Sequence, residues 1–267
     1  MPRLTQKVFD RMSSGLKRFQ PILDAAHARD INESDTVVIV TDILQYVLGF
    51  DKYSEITSEH AIRGTYCDLA IKLDGRVALL IEVKAIGHNL KENHVKQAVD
   101  YAANLGCEWV VLTNGVVWQA HKISFAKPLS HERILDLNLQ VLNSKKQTDM
   151  ELLWLISREG IQKSGLADYF SQKEALSRFT LASLMLSEPV VELLRRELRR
   201  VTPGARIECD DIRSVLTNDV LKRDVLEGEK ADAARRAVSR SSKVALRKSG
   251  GNESGTAVSP QATPTPQ

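Results

Sequence analysis

The sequence predicts an α/β fold: a mixed β-sheet flanked by helices, followed by an all-helical C-terminal region and a disordered tail. Three observations carry this. Helical spacing up to about residue 50 gives way to a strand pair, alternating in TYCDLAIKL and apolar on both faces in VALLIEVKAI, returns over Leu90–Leu105, and is followed by a second strand pair, EWVVLT and VVWQAHKI. Glycine turns at Asp74-Gly75 and Asn114-Gly115 join the strands of each pair. From Met150 to about Glu227 every segment has helical spacing, and the closing SGGNESGTAVSPQATPTPQ is low in complexity. The expected divisions are therefore a sheet domain over 1–145, a helical domain over 150–228, and a tail over 229–267 that is first basic and then low-complexity.

The first helix, to about residue 30, rests on Leu16, Phe19 and Leu23 at helical spacing. Asn32 or Ser34 caps the second, Val37, Val40, Leu44 and Val47 stripe it, and Gly49 closes it. In TYCDLAIKL, Leu69, Ile71 and Leu73 alternate with Asp68, Ala70 and Lys72, which gives a strand with one buried and one more polar face. VALLIEVKAI is apolar on both faces except at Glu82 and Lys84, as a central strand would be. The helix over Leu90–Leu105 buries Val95, Ala98, Val99 and Ala102 and stops at Gly106. In the helical region Glu188-Pro189 opens one helix, striped by Val190, Leu194, Leu198 and Val201. Another begins near Asp210 with Ile212, Leu216, Val220 and Leu221.

Composition narrows the function classes. With 267 residues, 43% hydrophobic and 27% charged, the chain is an ordinary globular protein with room for a full domain and a smaller one. No apolar run approaches the ~20 residues of a membrane span. The N-terminus lacks the apolar core of a secretory signal, so a cytoplasmic location without a membrane partner is expected. Cys67, Cys107 and Cys209 are far apart and form no CxxC, which fits reduced structural thiols. Net charge is +3, yet Arg235–Lys248 holds six basic residues and no acid, leaving the remainder net acidic. A nucleic-acid partner would have to be held by a local patch or by this basic segment.

The chemistry concentrates in a pair of carboxylates on neighbouring strands. Because side chains alternate, Glu82 and Lys84 project from one face and Val83 from the other. The short hairpin pairs this strand with that of Asp68, so Asp68 and Glu82 come close enough to share a cation. Two carboxylates, the adjacent Val83 backbone carbonyl and water suit Mg²⁺, with Mn²⁺ as a substitute. Lys84 beside the metal is placed to orient an attacking water or to stabilise charge on phosphorus. The plainer alternative is a surface ion pair, worth only ~0–1 kcal/mol. A central apolar strand argues against it, since unpaired charge there is costly. Gln97 and Tyr101, four apart, share a helix face distinct from that of Val95, Val99 and Ala102. They are candidates to contact a phosphate or to position Lys84.

These residues, Asp68, then Ile-Glu82-Val-Lys84, then Gln97-Ala-Val-Asp-Tyr101, resemble the PD-(D/E)xK nuclease superfamily in the version with a downstream Q-xxx-Y motif. The likeness is to the N-terminal nuclease domain of type I restriction endonuclease R subunits. Val47-Leu-Gly-Phe-Asp51, Gly64-Thr-Tyr-Cys-Asp68 and Val111-Leu-Thr-Asn-Gly-Val-Val-Trp118 support it over residues ~30–125. The resemblance implies a restriction-endonuclease-like core with a four- or five-stranded mixed sheet. It also implies Mg²⁺-dependent hydrolysis of DNA phosphodiesters, with Asp68 and Glu82 as metal ligands. A glutamate on the first helix assists in such folds; Glu33 fits that place, and Glu59, nine residues before Asp68, competes with it. The setting it implies is a bacterial restriction or phage-defence system.

The 267 residues contain no GxxxxGK[ST] phosphate loop, so a motor or specificity function is expected from a separate subunit. The rival reading is a non-cleaving nucleic-acid-binding or assembly subunit that acts with such an ATPase. RNA cleavage would use the same chemistry, and a homo-oligomer is compatible with the sequence. His88 and His94 bracket the start of the Gln97 helix, from which they could reach phosphate, although satisfied or solvent-facing histidines are the more common reading. Arg195, Arg196, Arg199 and Arg200 read equally well as a nucleic-acid contact or a solvated helix face.

Overall fold

The structure is a computed structural model that describes the backbone of residues 4–62 and 65–249, with side chains at all of these except 59–62, 65–66 and 242–249. It divides into two compact units, Met1–Phe170 and Ser171–Gln267. In the first, helices α1 (Gln6–Ala28) and α2 (Glu33–Tyr46) precede strands β1 (Ile56–Ile62), β2 (Thr65–Leu73) and β3 (Arg76–Val83). Helix α3 (Glu92–Leu105) leads to β4 (Trp109–Thr113), β5 (Val117–Ser124) and β6 (Ser130–Asn138), and then to α4 (Gln147–Trp154) and α5 (Arg158–Gln162). Helix α6 (Gly165–Ala175) runs across the division, and α7 (Arg178–Met185), α8 (Glu188–Val201), α9 (Cys209–Val215) and α10 (Glu229–Ser249) follow. Among the described residues no helix is long and apolar enough to cross a membrane.

The six strands lie in sequence order, and only β3 and β4 run parallel. A parallel pair needs a crossover, and α3 supplies it, which commits α3 to one face of the sheet beside β3. That face carries Ala70, Leu80, Val110 and Leu112, packed with Val95, Ala98 and Ala102 of α3. The opposite face carries Leu69, Ile71, Ile81, Val83 and Val111, packed with Leu16 and Leu23 of α1 and Val40 and Leu44 of α2. Each buried Leu, Ile or Val here contributes roughly 1.5–3 kcal/mol, so the two layers fix the position of β3 firmly.

Local signals read from the sequence act as expected. Asn32 caps α2, its side chain accepting the Asp35 N–H at 2.9 Å. Asp74 and Gly75 both have positive φ, 50° and 76°, the type I′ geometry whose twist suits a two-residue hairpin. Gly106 ends α3 in the left-handed region at φ 69°.

Four expectations are corrected. The sheet has six strands rather than four or five: β1 and β6 are its edges, and their polar sequences, ITSEHAI and SHERILDLN, mask the alternation. The first unit extends to Phe170 rather than 145, because Met150, Leu153, Trp154, Ile156 and Leu166 are buried in the same core as α1. Two ion pairs pin this extension, Arg158 to Glu55 at 2.7 Å and Arg11 to Glu159 at 2.7 Å. The basic segment expected to open a disordered tail at 229 is helix α10, which packs on α7 and buries Ala231 and Ala234. Alanines make a face that packs closely but reads weakly as a stripe; the low-complexity segment from 250 onward lies outside the described residues. In α8 the buried position is Val191, whereas Leu198 and Val201 are exposed; Val191 forms a small core with Ile212 and Leu216.

Candidate metal centre

Glu82 is the penultimate residue of β3, a strand paired on both sides. The register places Leu69 opposite Ile81 and Ala70 opposite Leu80, and continuing it brings Asp68 beside the Glu82 end of β3. Asp68 reaches across the pair: its Oδ2 accepts the Val83 N–H at 2.7 Å, which holds the carboxylate against the Val83 peptide. Lys84, just past the strand, donates from Nζ to Glu82 Oε1 at 2.7 Å. Glu33, the first residue of α2, brings Oε2 to 3.5 Å from the same Nζ. Four residues from three elements thus meet at the C-terminal end of β3.

Glu82 is only 1% exposed, and its Oε2 is buried without a hydrogen-bond partner. Burial pushes its carboxyl up to about 7, the Asp68 charge adds to this, and the Lys84 ammonium offsets only part of it. For Lys84 burial acts downward, but the hydrogen bond and charge of Glu82, with Glu33 and Asp68, outweigh it and raise its pKa. The Cys67 thiol is pushed up to about 12, by burial first and then by Glu82 and Asp68. It therefore stays protonated, and thiolate chemistry has no place at this site.

A buried acceptor without a partner costs ~1–3 kcal/mol, more if charged. A divalent cation removes that cost, and the donors here are hard oxygens of two facing carboxylates beside a backbone peptide. This set fits Mg²⁺ or Mn²⁺ and not a soft thiophilic metal.

The other expected residues are placed as follows. Gln97 is exposed on α3, and Tyr101 is 0% exposed within the apolar contact of α3 with the sheet, its hydroxyl pKa raised by burial. The expected separation of Tyr101 from the Val95 and Ala102 face is thereby corrected: Tyr101 lies three residues from Ala98 and shares its side of the helix. Glu59 belongs to β1, and its side chain lies outside the described residues. The four arginines of α8 each face an acid, for example Arg195 with Glu192 at 2.7 Å and Arg200 with Glu197 at 3.0 Å.

One positioning residue escaped the sequence reading, where Asn114 is only a turn residue. It is 7% exposed, and its Nδ2 donates to Ile86 O at 3.1 Å and His88 O at 3.0 Å. Its Oδ1 accepts from the Val116 and Val117 amides at 3.1 and 2.7 Å. The β4–β5 turn is thus clamped to the loop that leaves Lys84, while Lys84 N–H donates to Thr113 O at 2.8 Å. That loop borders a cleft of about 580 Å³ lined by Asn32, Glu33, His88, Lys91 and His94, among others.

In comparison with known proteins, residues 36–137 match the model of the family described as type I restriction enzyme R protein N terminus. The matched interval runs from α2 into β6 and contains Asp68, Glu82, Lys84, Gln97 and Tyr101; Glu33 lies just before it. Comparisons with curated proteins and with solved structures give no match.

Proposed function

We propose, from this match and the geometry at the end of β3, that the first unit is a restriction-type nuclease domain that hydrolyses DNA phosphodiesters with Mg²⁺. The observation that carries the reading is the buried, unpartnered Glu82 Oε2 opposite Asp68, with a lysine ammonium 2.7 Å from the other oxygen. Asp68 and Glu82 would hold the cation, with the Val83 carbonyl as a third donor. A cation so held polarises a phosphoryl oxygen and lowers the pKa of bound water. Lys84, kept charged by its acidic neighbours, orients the attacking water and offsets charge that develops on phosphorus. Gln97 and Tyr101 order the α3 side, and Glu33 holds Lys84 from the α2 side. The partners are cytoplasmic DNA and a separate motor or specificity subunit.

The test is incubation of the full chain with supercoiled, linear and single-stranded DNA, each with Mg²⁺, Mn²⁺ or EDTA. Cleavage of DNA with Mg²⁺ or Mn²⁺ and none with EDTA is expected. Binding without cleavage in every arm would favour the non-cleaving subunit, and cleavage of an RNA control alone would move the substrate to RNA.

A further inference from the structure

We infer that the cleft beside Lys84 grips the DNA backbone, with His88, Lys91 and His94 as the side chains that bind phosphate. The inference rests on the nuclease reading above and goes beyond it, because none of these residues belongs to the metal centre.

Position is the first argument. The cleft lies between the α1–α2 junction, with Asp30, Asn32 and Glu33, and the segment that runs from Ala85 into the first turn of α3. Glu33 lines it and is 3.5 Å from Lys84 Nζ, so the cleft borders the site where a scissile phosphate would sit. Donor chemistry is the second. His94 Nδ1 accepts the Lys91 N–H at 3.3 Å, which leaves the proton of the neutral ring on Nε2 as a donor. Lys91 and His88 are exposed and add a fixed charge and a second imidazole on the same wall. Charge is the third. Burial first, then Lys84, His88 and Lys91, hold the His94 pKa down against the Glu33 charge, which raises it; an anion bound beside these basic groups would offset their effect. The opposite wall, with Asp30 and Glu33, repels an anion and so sets the phosphate against the histidines.

The wall is also preorganised. Asn114 fixes the carbonyls of Ile86 and His88 at 3.1 and 3.0 Å. The backbone of this wall is thus held before binding, which favours affinity.

The experiment is a salt titration of full-chain binding to a fluorescent DNA duplex, read by anisotropy in EDTA, for wild type, Lys91→Gln, His88→Gln, His94→Ala and Asp68→Ala. Lys91→Gln and His94→Ala should weaken binding roughly ten-fold each, as loss of a charge-assisted contact does. Lys91→Gln should also reduce the salt slope by about 0.9, one phosphate contact on duplex DNA, with an unchanged melting temperature. If both variants bind as wild type with the wild-type slope, the inference is overturned. A purely structural helix cap at His94 would lower the melting temperature and leave affinity intact, and that result also overturns its role. Should His94→Ala not fold, Lys91→Gln and His88→Gln carry the test through exposed positions. A parallel assay with Mg²⁺ separates the two readings: Asp68→Ala should not cleave there, whereas the affinity losses of the cleft variants are read in EDTA, where no cation is held. If wild type fails to cleave while the cleft variants still lose affinity, the nuclease reading falls and the cleft stands.

Discussion

Glu82 sets the energetics of the site. Its carboxyl titrates at about 7 in the fold against 4.5 ordinarily, so between those values the folded chain binds more protons than the unfolded one. Metal-free stability therefore falls as pH rises from about 4.5 through about 7. Glu82→Gln keeps the shape and the acceptor for Lys84 but cannot ionise. At pH 8 without metal it should be more stable than wild type by ~1–3 kcal/mol in urea unfolding, with the difference gone below pH 4.5. Mg²⁺ should stabilise wild type and leave the variant unmoved. His121 acts at the acid end. It is buried, both ring nitrogens lack partners, and its pKa is pushed down to about 4 by burial and then by His131 and Arg133. Because the folded value lies below 6.5, stability is lost as pH falls from about 6.5 to about 4. His121→Leu should flatten that loss by on the order of 2–3 kcal/mol, measured by unfolding at pH 4.5 and pH 7. The two kinds of residue differ in how they can be read. Asp68 and Glu82 are legible because an alternating strand, a two-residue turn and a charge in an apolar strand mark them, and Lys84 follows directly at the end of β3. The Asn114 clamp and the His121 environment are not, because each depends on contacts that no local pattern encodes.

Among the elements, β3 and its hairpin were the most legible, since an apolar run broken by two charges can only be a central strand with a purpose. Edge strands lose that signal because one side of their backbone faces solvent and their side chains are polar, which is why β1 and β6 were missed. Helix α3 was located correctly, but Tyr101 is buried in the cluster that α3 forms with the sheet, a depth that sequence spacing does not reveal. The loop between β3 and α3 gives an element-scale prediction. Asn114→Ala removes two hydrogen bonds to that loop and leaves buried carbonyls unsatisfied, so stability should fall by roughly 1–3 kcal/mol. Turnover should drop while cation affinity stays near wild type, checked by calorimetry beside a cleavage assay. Helix α10 supplies another. Ala231 and Ala234 are buried and α10 packs on α7, so truncation after Gly228 should lower the melting temperature of the helical unit, read by differential scanning calorimetry.

At the scale of the whole molecule, the candidate centre and the basic segment fall in different units. Every residue of the candidate centre and the whole family match lie in the first unit, whereas the six basic residues of Arg235–Lys248 lie in the second, on α10. The sequence placed this charge on a tail; on a helix the same residues are held at fixed spacing. The central claim is that Asp68 and Glu82 form a cation site, and calorimetric titration of Mn²⁺ into the full chain at pH 8, with Glu82→Gln beside it, tests it most directly. The expected result is saturable binding by wild type that weakens as the pH is brought to 6 and is absent in Glu82→Gln. Equal binding by the two proteins, or none by wild type, would contradict the account.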